Sequence, residues 1–325
     1  MRQITIGEKE AGQRLDKWLS KYMAKAPKSF FYKMMRKKNI VLNGKKAQGN
    51  EKLNAGDEIA LYISDETIKN FQQEKKLPKK KTLDIIYEDE HILVVNKCVG
   101  MLTQKAKPDD VSLNEYILAY LLEKKELQKE DLTRFLPSVC NRLDRNTSGI
   151  VTAGKTIAGL QILSDMFRER SVHKYYRCLV RGQIREERQV EGYLVKENEK
   201  NQVYIKKNPS KDAVWICTRY HPIKVFSWCT YLEVELITGR SHQIRAHLAS
   251  QNHPLFGDPK YGDTMLNKKC VQQYQLKHQL LHCTCLKMPQ LEGKFAYLSG
   301  KTFTAPLPEQ FQNILSDIEK GNFKT

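Results

Sequence analysis

The strongest constraint on the fold is an alternation of apolar and polar side chains that begins near residue 175. Even-numbered residues would face one side of a strand and odd-numbered residues the other: Tyr176, Cys178 and Val180 against Tyr175, Arg177 and Leu179. Further strand-like segments follow near Tyr193, Val203, Trp215 and Leu232. Strands that follow strands, with helices interspersed, predict an α+β domain whose mixed sheet is largely antiparallel rather than doubly wound.

Helices are predicted by capping signals that precede apolar residues at helical spacing. Ser112 and Glu115 form a capping box ahead of an amphipathic segment, and Thr156 is placed to cap a second one. A third helix is expected from about His242 to Gln251, with Arg245 near the edge of its inner side. The apolar run from residue 91 to residue 95 is short enough for a buried strand.

Residues 1–66 are predicted to form a small α/β module. One apolar helix face is carried by Leu15, Trp18, Leu19, Tyr22 and Met23. Ser29 is placed to cap a second helix, and Asn43-Gly44 is a strong tight-turn signal between short strands. The second helix carries a basic run toward its C-terminal end, formed by Lys33, Arg36, Lys37 and Lys38. This run is either a solvated face or an RNA contact, and the surrounding pattern favours RNA.

Residues 67–82 are predicted to be a basic linker between this module and a larger domain, residues 83–325. The stretch Glu-Lys-Lys-Leu-Pro-Lys-Lys-Lys at 74–81 is polar, charged and interrupted by a proline. Such a composition buries too little apolar surface to fold alone.

The charge balance predicts a polyanionic partner. The 325 residues carry a formal net charge of +18, which points to nucleic acid or an acidic membrane surface. No apolar run approaches the ~20 residues of a membrane span, and the start lacks the apolar core of a signal peptide. We therefore expect a soluble, cytosolic protein with no membrane partner.

The eight cysteines include no Cys-x-x-Cys pair. Cys283 and Cys285 beside His282 are the one cluster that suggests a metal, but a structural zinc site needs a second pair of ligands. We expect reduced cysteines and no metal.

Residues 141–149 read Asn-Arg-Leu-Asp-Arg-Asn-Thr-Ser-Gly and carry the most chemical information. Asp144 stands between Arg142 and Arg145, and two guanidiniums beside a carboxylate keep it ionised. Such a carboxylate can act as a nucleophile or general base, while the arginines hold phosphodiesters. The alternative is a salt-bridged turn.

Other segments decide between these two interpretations. In order they are residues 87–97 with Gly100, the 141–149 turn, residues 174–182, the run Thr-Gly-Arg-Ser-His-Gln-Ile-Arg-Ala-His-Leu at 238–248, residues 254–258 with 261–262, and residues 281–282. This set resembles the RluA-type pseudouridine synthases, which isomerise uridine in RNA. Asn141 and Cys98 depart from the family's usual His and Pro. The order of elements in residues 13–63 resembles the αL-type RNA-binding domain first described in a ribosomal protein.

The resemblance implies roles for individual residues. Asp144 would be the catalytic acid, acting as nucleophile or base, and Arg245 its partner. Tyr176 would stack on uracil and lie where the ring-carbon proton leaves. Arg142 would fill the space that the flipped base leaves. Arg145 and Arg240 would contact the RNA backbone or support the fold.

The resulting hypothesis is a cofactor-free, monomeric RNA pseudouridine synthase that acts on large-subunit ribosomal RNA. No redox cofactor or ATP is expected, because the isomerisation exchanges no electrons and the chain has no Gly-x-Gly-x-x-Gly or P-loop motif. One alternative keeps the reaction but places the uridine in transfer RNA. Another is a non-catalytic RNA-binding factor for ribosome assembly, although such a factor would be expected to have lost Asp144, Tyr176 or Arg245.

Overall fold

The computed structural model describes residues 1–73, 82–128, 131–197 and 202–323. The chain forms two compact units, and each unit is built from three separate segments of the sequence. Unit 1 comprises residues 1–94, 104–141 and 152–165, and unit 2 comprises residues 95–103, 142–151 and 166–325.

The N-terminal part of unit 1 is a four-stranded antiparallel sheet covered by helices. Its elements are β1 (Arg2–Thr5), α1 (Leu15–Tyr22), α2 (Lys28–Arg36), β2 (Ile40–Leu42), β3 (Lys45–Lys46), β4 (Glu58–Leu61) and α3 (Asp65–Phe71). The strand order is β1-β4-β2-β3. Positive φ angles of 51° at Asn43 and 71° at Gly44 form the expected tight turn. The predicted apolar face of α1 is confirmed, because Trp18 and Leu19 are fully buried in the core of this part.

Two local predictions for this part were inaccurate. Helix α2 begins at Lys28, one residue before Ser29, and is preceded by Pro27 in an extended conformation without a side-chain cap. Proline already restricts φ to a value compatible with a helix start. Helix α3 occupies the first residues of the predicted linker, and its Ile68 is fully buried against the same core. Residues 74–81 of the predicted linker lie outside the described residues.

Between residues 82 and 169 the chain contributes strands of a larger sheet and two helices. The elements in this stretch of chain are β5 (Asp84–Glu88), β6 (Ile92–Lys97), α4 (Leu113–Glu123), β7 (Ser138–Val139), β8 (Ser148–Gly154) and α5 (Ile157–Glu169). The strand order is β8-β6-β5, with β7 paired to β8. The capping box of α4 is confirmed, and the Thr156 hydroxyl accepts a hydrogen bond from the Gly159 amide at the start of α5.

The N-terminal part contacts the rest of unit 1 through the segment that precedes α1. The Lys9 carbonyl accepts a hydrogen bond of 3.0 Å from the Ile157 amide, and the Lys9 ammonium donates to the Glu126 carbonyl. The Lys21 ammonium lies 5.8 Å from the ring centre of Phe135. These contacts join the N-terminal part to the loop and helix that follow α4.

Unit 2 is built on the antiparallel strands that the sequence predicts. They are β9 (His173–Arg181), β10 (Arg188–Glu197), β11 (Gln202–Lys206), β12 (Val214–Val225) and β13 (Cys229–Glu235). The chain continues through α6 (Gln243–Ser250), α7 (Thr264–Tyr274), β14 (Leu281–Lys287), β15 (Thr302–Thr304) and α8 (Glu309–Glu319). The strand order is β11-β10-β12-β13-β9-β14-β8, with β15 paired to β14. The strands from β9 to β15 pair with one another in antiparallel orientation, whereas the contact between β14 and β8 is parallel. The predicted α+β class with a largely antiparallel sheet is therefore confirmed.

Candidate active site

Asp144 lies in unit 2 on a turn that leads into β8. Its carbonyl accepts a hydrogen bond of 3.0 Å from the Thr147 amide, which closes the turn. The preceding residue, Leu143, is held by the Thr103 hydroxyl, which donates to its carbonyl at 2.8 Å and accepts from its amide at 3.2 Å. The carboxylate, 27% exposed, is therefore presented by a backbone that is fixed on both sides.

Lys97 holds the same turn through its buried ammonium. This group donates to the carbonyl oxygens of Cys98, Met101 and Arg145 at 3.1, 2.9 and 3.2 Å. These acceptors match the three N–H donors of a lysine side chain. Burial lowers the pKa of Lys97 to about 8, and the nearby Cys98 and Asp144 oppose that shift. Lys97 therefore fixes the position of the turn through backbone oxygens.

Arg245, on α6, bridges two carboxylates. Its Nη1 donates to Oδ2 of Asp144 at 3.1 Å, while Nε and Nη2 donate to the two oxygens of Asp258 at 2.7 and 2.8 Å. Asp258 is fully buried and Arg245 is 5% exposed, so Arg245 is more buried than the predicted position near a helix edge. A bidentate arginine–carboxylate pair has fixed geometry, and Asp258 thereby orients the nitrogen that faces Asp144.

His242 and Tyr261 complete the surroundings of Asp144. The Nε2 atom of His242 lies 3.8 Å from Oδ2 of Asp144, and its Nδ1 atom lies 2.9 Å from the Tyr261 hydroxyl. The Tyr261 ring also lies 5.2 Å from the guanidinium carbon of Arg245. Burial lowers the pKa of His242, Asp144 opposes this shift, and Arg245 and Lys260 add to it. The ring is therefore neutral at neutral pH.

Strand pairing connects Tyr176, on β9, to the turn that carries Asp144. It lies opposite Cys283 on β14, and Cys283 lies opposite Gly149 on β8. The side chain is 5% exposed. Burial raises the pKa of Tyr176 well above its usual value, and Cys283 and Asp144 raise it further. The hydroxyl therefore stays protonated.

The arginines adjacent in sequence to Asp144 do not provide its ion pair. Arg142 and Arg145 are both exposed, and Nε of Arg145 donates to the Gly100 carbonyl at 3.1 Å. The guanidinium that contacts Asp144 belongs to Arg245, 101 residues away. Arg240 is also exposed, and its backbone amide donates to the side-chain oxygen of Gln243 at the start of α6.

The basic run of the N-terminal part is open to solvent. Lys33 and Arg36 lie in the last turns of α2, Lys37 follows that helix, and Lys38 adopts a positive φ of 57°. All four side chains are exposed. This geometry is compatible with either a solvated face or an RNA contact.

The sequence alone did not indicate that Asp258, Tyr261, Lys97 and His242 surround or support Asp144. Each of these residues lies within a segment on which the family resemblance rests. Membership of such a segment was the signal that could have identified them. Their function in the site depends on contacts between segments that are far apart in the chain.

The cluster of Cys283, Cys285 and His282 does not form a metal site. Within residues 1–73, 82–128, 131–197 and 202–323, no group of three His, Cys, Asp or Glu side chains is arranged to hold a metal ion. His282 instead faces the Ser148 hydroxyl at 2.8 Å. Over the same ranges, no helix has the length and apolar character needed to cross a membrane.

Comparison with known families gives two matches along the chain. Residues 91–250 match the family described as RNA pseudouridylate synthase, and residues 13–59 match the S4 domain.

Similar proteins cover nearly the whole chain. Ribosomal large subunit pseudouridine synthase C of Vibrio vulnificus is 32% identical over 323 residues, which cover 97% of this chain and 96% of that protein. The protein of the same name from Escherichia coli is 31% identical and covers 87% of each chain. Among solved structures, Human RNA Pseudouridylate Synthase Domain Containing 4 matches with a TM-score of 0.58 at 21% identity, over 73% of this chain and 93% of that one. At this identity the structural match supports the fold alone.

Proposed function

Because the chain belongs to the RNA pseudouridylate synthase family, we propose that it isomerises uridines to pseudouridines in large-subunit ribosomal RNA. The target is supported by relatives whose names specify the ribosomal large subunit and which match along nearly all of their length. The N-terminal S4 match supports RNA binding outside the catalytic centre.

One observation supports the assigned reaction. The carboxylate of Asp144 is partly exposed, and its ion pair uses only one of its two oxygens. Arg245 and His242 both approach Oδ2 of Asp144. Among the described residues, Oδ1 of Asp144 has no such partner and is therefore the oxygen available to substrate. The ionised form of a carboxylate is the one that can attack carbon or accept a proton, and the Arg245 guanidinium provides the charge partner for that form.

The isomerisation breaks the bond between N1 of uracil and C1′ of the ribose, turns the base, and forms a bond from C5 to C1′. The C5 proton then leaves, and N1 ends with a proton. Asp144 would act at C1′ as a nucleophile or as a base during cleavage of the N1–C1′ bond. Tyr176, whose hydroxyl stays protonated, lies on β9, which is separated from β8 by the single strand β14. In this position its ring would stack on uracil and its oxygen would relay the C5 proton.

The arginines around the turn would contact the RNA. Arg142 is exposed beside the catalytic acid and would occupy the gap left by the flipped uridine. Arg145 and Arg240 would contact phosphates. On the N-terminal domain, which we assign to residues 1–66 with α3 packed against its core, the basic run would add backbone contacts, and residues 83–325 would form the catalytic domain. The run consists of Lys33, Arg36, Lys37 and Lys38.

We further propose that the enzyme acts as a monomer in the cytoplasm. All its cysteines are outside disulfides, which fits a reducing compartment. Size-exclusion chromatography with light scattering tests the monomer.

The test of function is tritium release from RNA that carries tritium at C5 of uridine, since the proposed reaction expels that atom. Large-subunit ribosomal RNA and bulk transfer RNA, both made without modifications, serve as substrates, with Asp144→Asn as the matched inactive control. We expect the parent enzyme, but not Asp144→Asn, to release tritium from ribosomal RNA. Release from transfer RNA only would overturn the target, and no release from either RNA would overturn the reaction.

A further inference from the structure

We infer that His242 is a positioning residue for Asp144, and that Tyr261 fixes its imidazole in the tautomer whose Nε2–H faces the Asp144 carboxylate. This inference rests on the proposed function for the role of Asp144. The tautomer itself depends only on which groups donate and accept hydrogen bonds around the ring, and is independent of the reaction.

The Tyr261 hydroxyl has two hydrogen-bonding neighbours. The backbone amide of Val203 donates a hydrogen bond of 2.8 Å to the Tyr261 oxygen. An amide can only donate, so it occupies an acceptor position of that oxygen. The hydroxyl still has its one hydrogen to donate, and Nδ1 of His242, at 2.9 Å, is the neighbour placed to accept it. In that arrangement Nδ1 accepts, and a neutral imidazole with an accepting Nδ1 carries its proton on Nε2.

The opposite side of the ring agrees with this tautomer. Nε2 lies 3.8 Å from Oδ2 of Asp144. A bare ring nitrogen would turn its lone pair toward the carboxylate, whereas an N–H turns its positive end toward it. At 3.8 Å the contact is electrostatic and longer than a hydrogen bond. Catalytic contacts of this kind commonly shorten when substrate binds.

The backbone holds His242 in this position. The residue adopts a left-handed conformation with φ of 56° and stands at the N-terminal cap of α6, where its carbonyl accepts from the Ala246 amide at 2.9 Å. Its side chain is 13% exposed. A left-handed conformation costs energy in a residue with a Cβ and persists where the surroundings enforce it.

His242 and Arg245 would therefore act differently on the same oxygen. Arg245 supplies charge, which it shares with the buried Asp258. His242 supplies an uncharged N–H that restrains the rotation of the carboxylate. With Oδ2 restrained from two directions, Oδ1 is held in one orientation toward the sugar. A neutral donor achieves this restraint without adding a second positive charge that would weaken the carboxylate as a nucleophile.

The tautomer is tested by nitrogen NMR on the full-length protein labelled with 15N at the imidazole rings. The His242 signals are assigned by their disappearance in His242→Gln. At neutral pH we expect a protonated Nε2 and an accepting Nδ1, and we expect the same pattern in Asp144→Asn because Tyr261 remains. A protonated Nδ1 in the parent would overturn the inference. A tautomer change in Asp144→Asn would show that Asp144, and not Tyr261, sets the ring.

The positioning role is tested by kinetics with two variants of similar size. His242→Leu removes the N–H, while His242→Gln places an amide N–H near the position of Nε2. We expect His242→Leu to lower kcat about tenfold or more with KM within about threefold, and His242→Gln to recover most of the loss. An equal loss in both variants would indicate a packing role and overturn the proposal. A parent enzyme inactive on every RNA would instead contradict the proposed function, and the NMR result would still decide the tautomer.

Discussion

Gly149 on β8 packs directly against the backbone of Cys283 on β14. A Cβ atom at residue 149 would lie 2.3 Å from the Cys283 carbonyl oxygen and 2.5 Å from its amide nitrogen, and the φ angle of Gly149 is +113°. Both features exclude a side chain. The parallel contact between these strands, five residues after Asp144, therefore requires glycine.

Gly149→Ala is expected to destabilise the protein by more than about 4 kcal/mol, because either the strand pair or the turn must move. Gly44→Ala is the matched control: its φ is +71° but its surroundings are open within 4 Å. That variant should lose only the backbone cost of about 1 to 2 kcal/mol. Urea unfolding measures both, and similar losses in the two variants would contradict close packing at residue 149.

Asp144→Asn is expected to fold and bind RNA normally while forming no detectable pseudouridine. The amide keeps the shape of the side chain but removes its charge. The loss should therefore appear in the chemical step, measured by tritium release, and not in affinity, measured by filter binding. Activity within tenfold of the parent, a barrier change below about 1.4 kcal/mol, would contradict the catalytic role.

Tyr176→Phe is expected to block a later step than Asp144→Asn. Phenylalanine keeps the stacking ring and removes the hydroxyl, so cleavage of the glycosidic bond should survive while loss of the C5 proton fails. We expect a bound or rearranged intermediate with fluorouridine-containing RNA, detected by rapid quench and mass spectrometry, and none with Asp144→Asn. Near-parental turnover would make Tyr176 a packing residue.

Neutralising the basic run of the N-terminal domain should reduce the salt dependence of RNA binding. Replacing Lys33, Arg36, Lys37 and Lys38 by glutamine should flatten the log–log salt slope by roughly 0.7 to 0.9 for each phosphate that the run no longer neutralises. This design is cleaner than deleting residues 1–66, because Lys9 contacts Ile157 and Glu126 elsewhere in unit 1.

The matched control removes the same number of positive charges from exposed lysines of unit 2. These are Lys268, Lys277, Lys294 and Lys320. The control should leave the salt slope close to that of the parent. Equal effects in both sets would show that net charge, and not the basic run, governs binding.

Stability should fall as the pH drops below about 6.5. Burial lowers the pKa of His247 and of His282 to about 4, from 6.5 in the unfolded chain. Between these values the unfolded chain binds protons that the folded protein does not, so unfolding is favoured as pH falls. Each histidine should cost about 1.4 kcal/mol per pH unit in this window, with no cost above it.

Urea unfolding between about pH 4.5 and 7.5 measures this slope. His247→Asn keeps a polar atom near Thr218, which His247 contacts at 3.0 Å, and removes one titrating group. The slope should become shallower in that variant. An unchanged slope would show that His247 does not contribute.

The sequence predicted those elements whose signals are local. The apolar spacing of α1, the Asn43-Gly44 turn and the capping box of α4 each depend on residues within one or two turns of chain. Helix α3 was missed because most of Asp65–Phe71 is polar, and only Ile68 and the partly buried Phe71 attach it to the core.

The site was predicted less completely because its geometry is long-range. Resemblance identified Asp144 and its partner Arg245, whereas the local residues alone suggested that the neighbouring arginines keep Asp144 ionised. On the turn those side chains extend into solvent, while α6 brings Arg245 in from a distant part of the chain. The buried partner of Arg245, Asp258, has no local pattern that distinguishes it from a solvent-exposed aspartate.

The distribution of cysteines has a practical consequence for following RNA binding. Cys98 is the exposed member of the eight, and burial raises the pKa of most of the others, including Cys178, Cys229, Cys270 and Cys283. Thiol reagents attack the ionised, accessible form, so a maleimide dye at neutral pH should attach at Cys98 first. That position adjoins Lys97, which supports the turn carrying Asp144. A dye attached at Cys98 would therefore report on RNA binding beside the proposed catalytic centre, and no cysteine would have to be engineered.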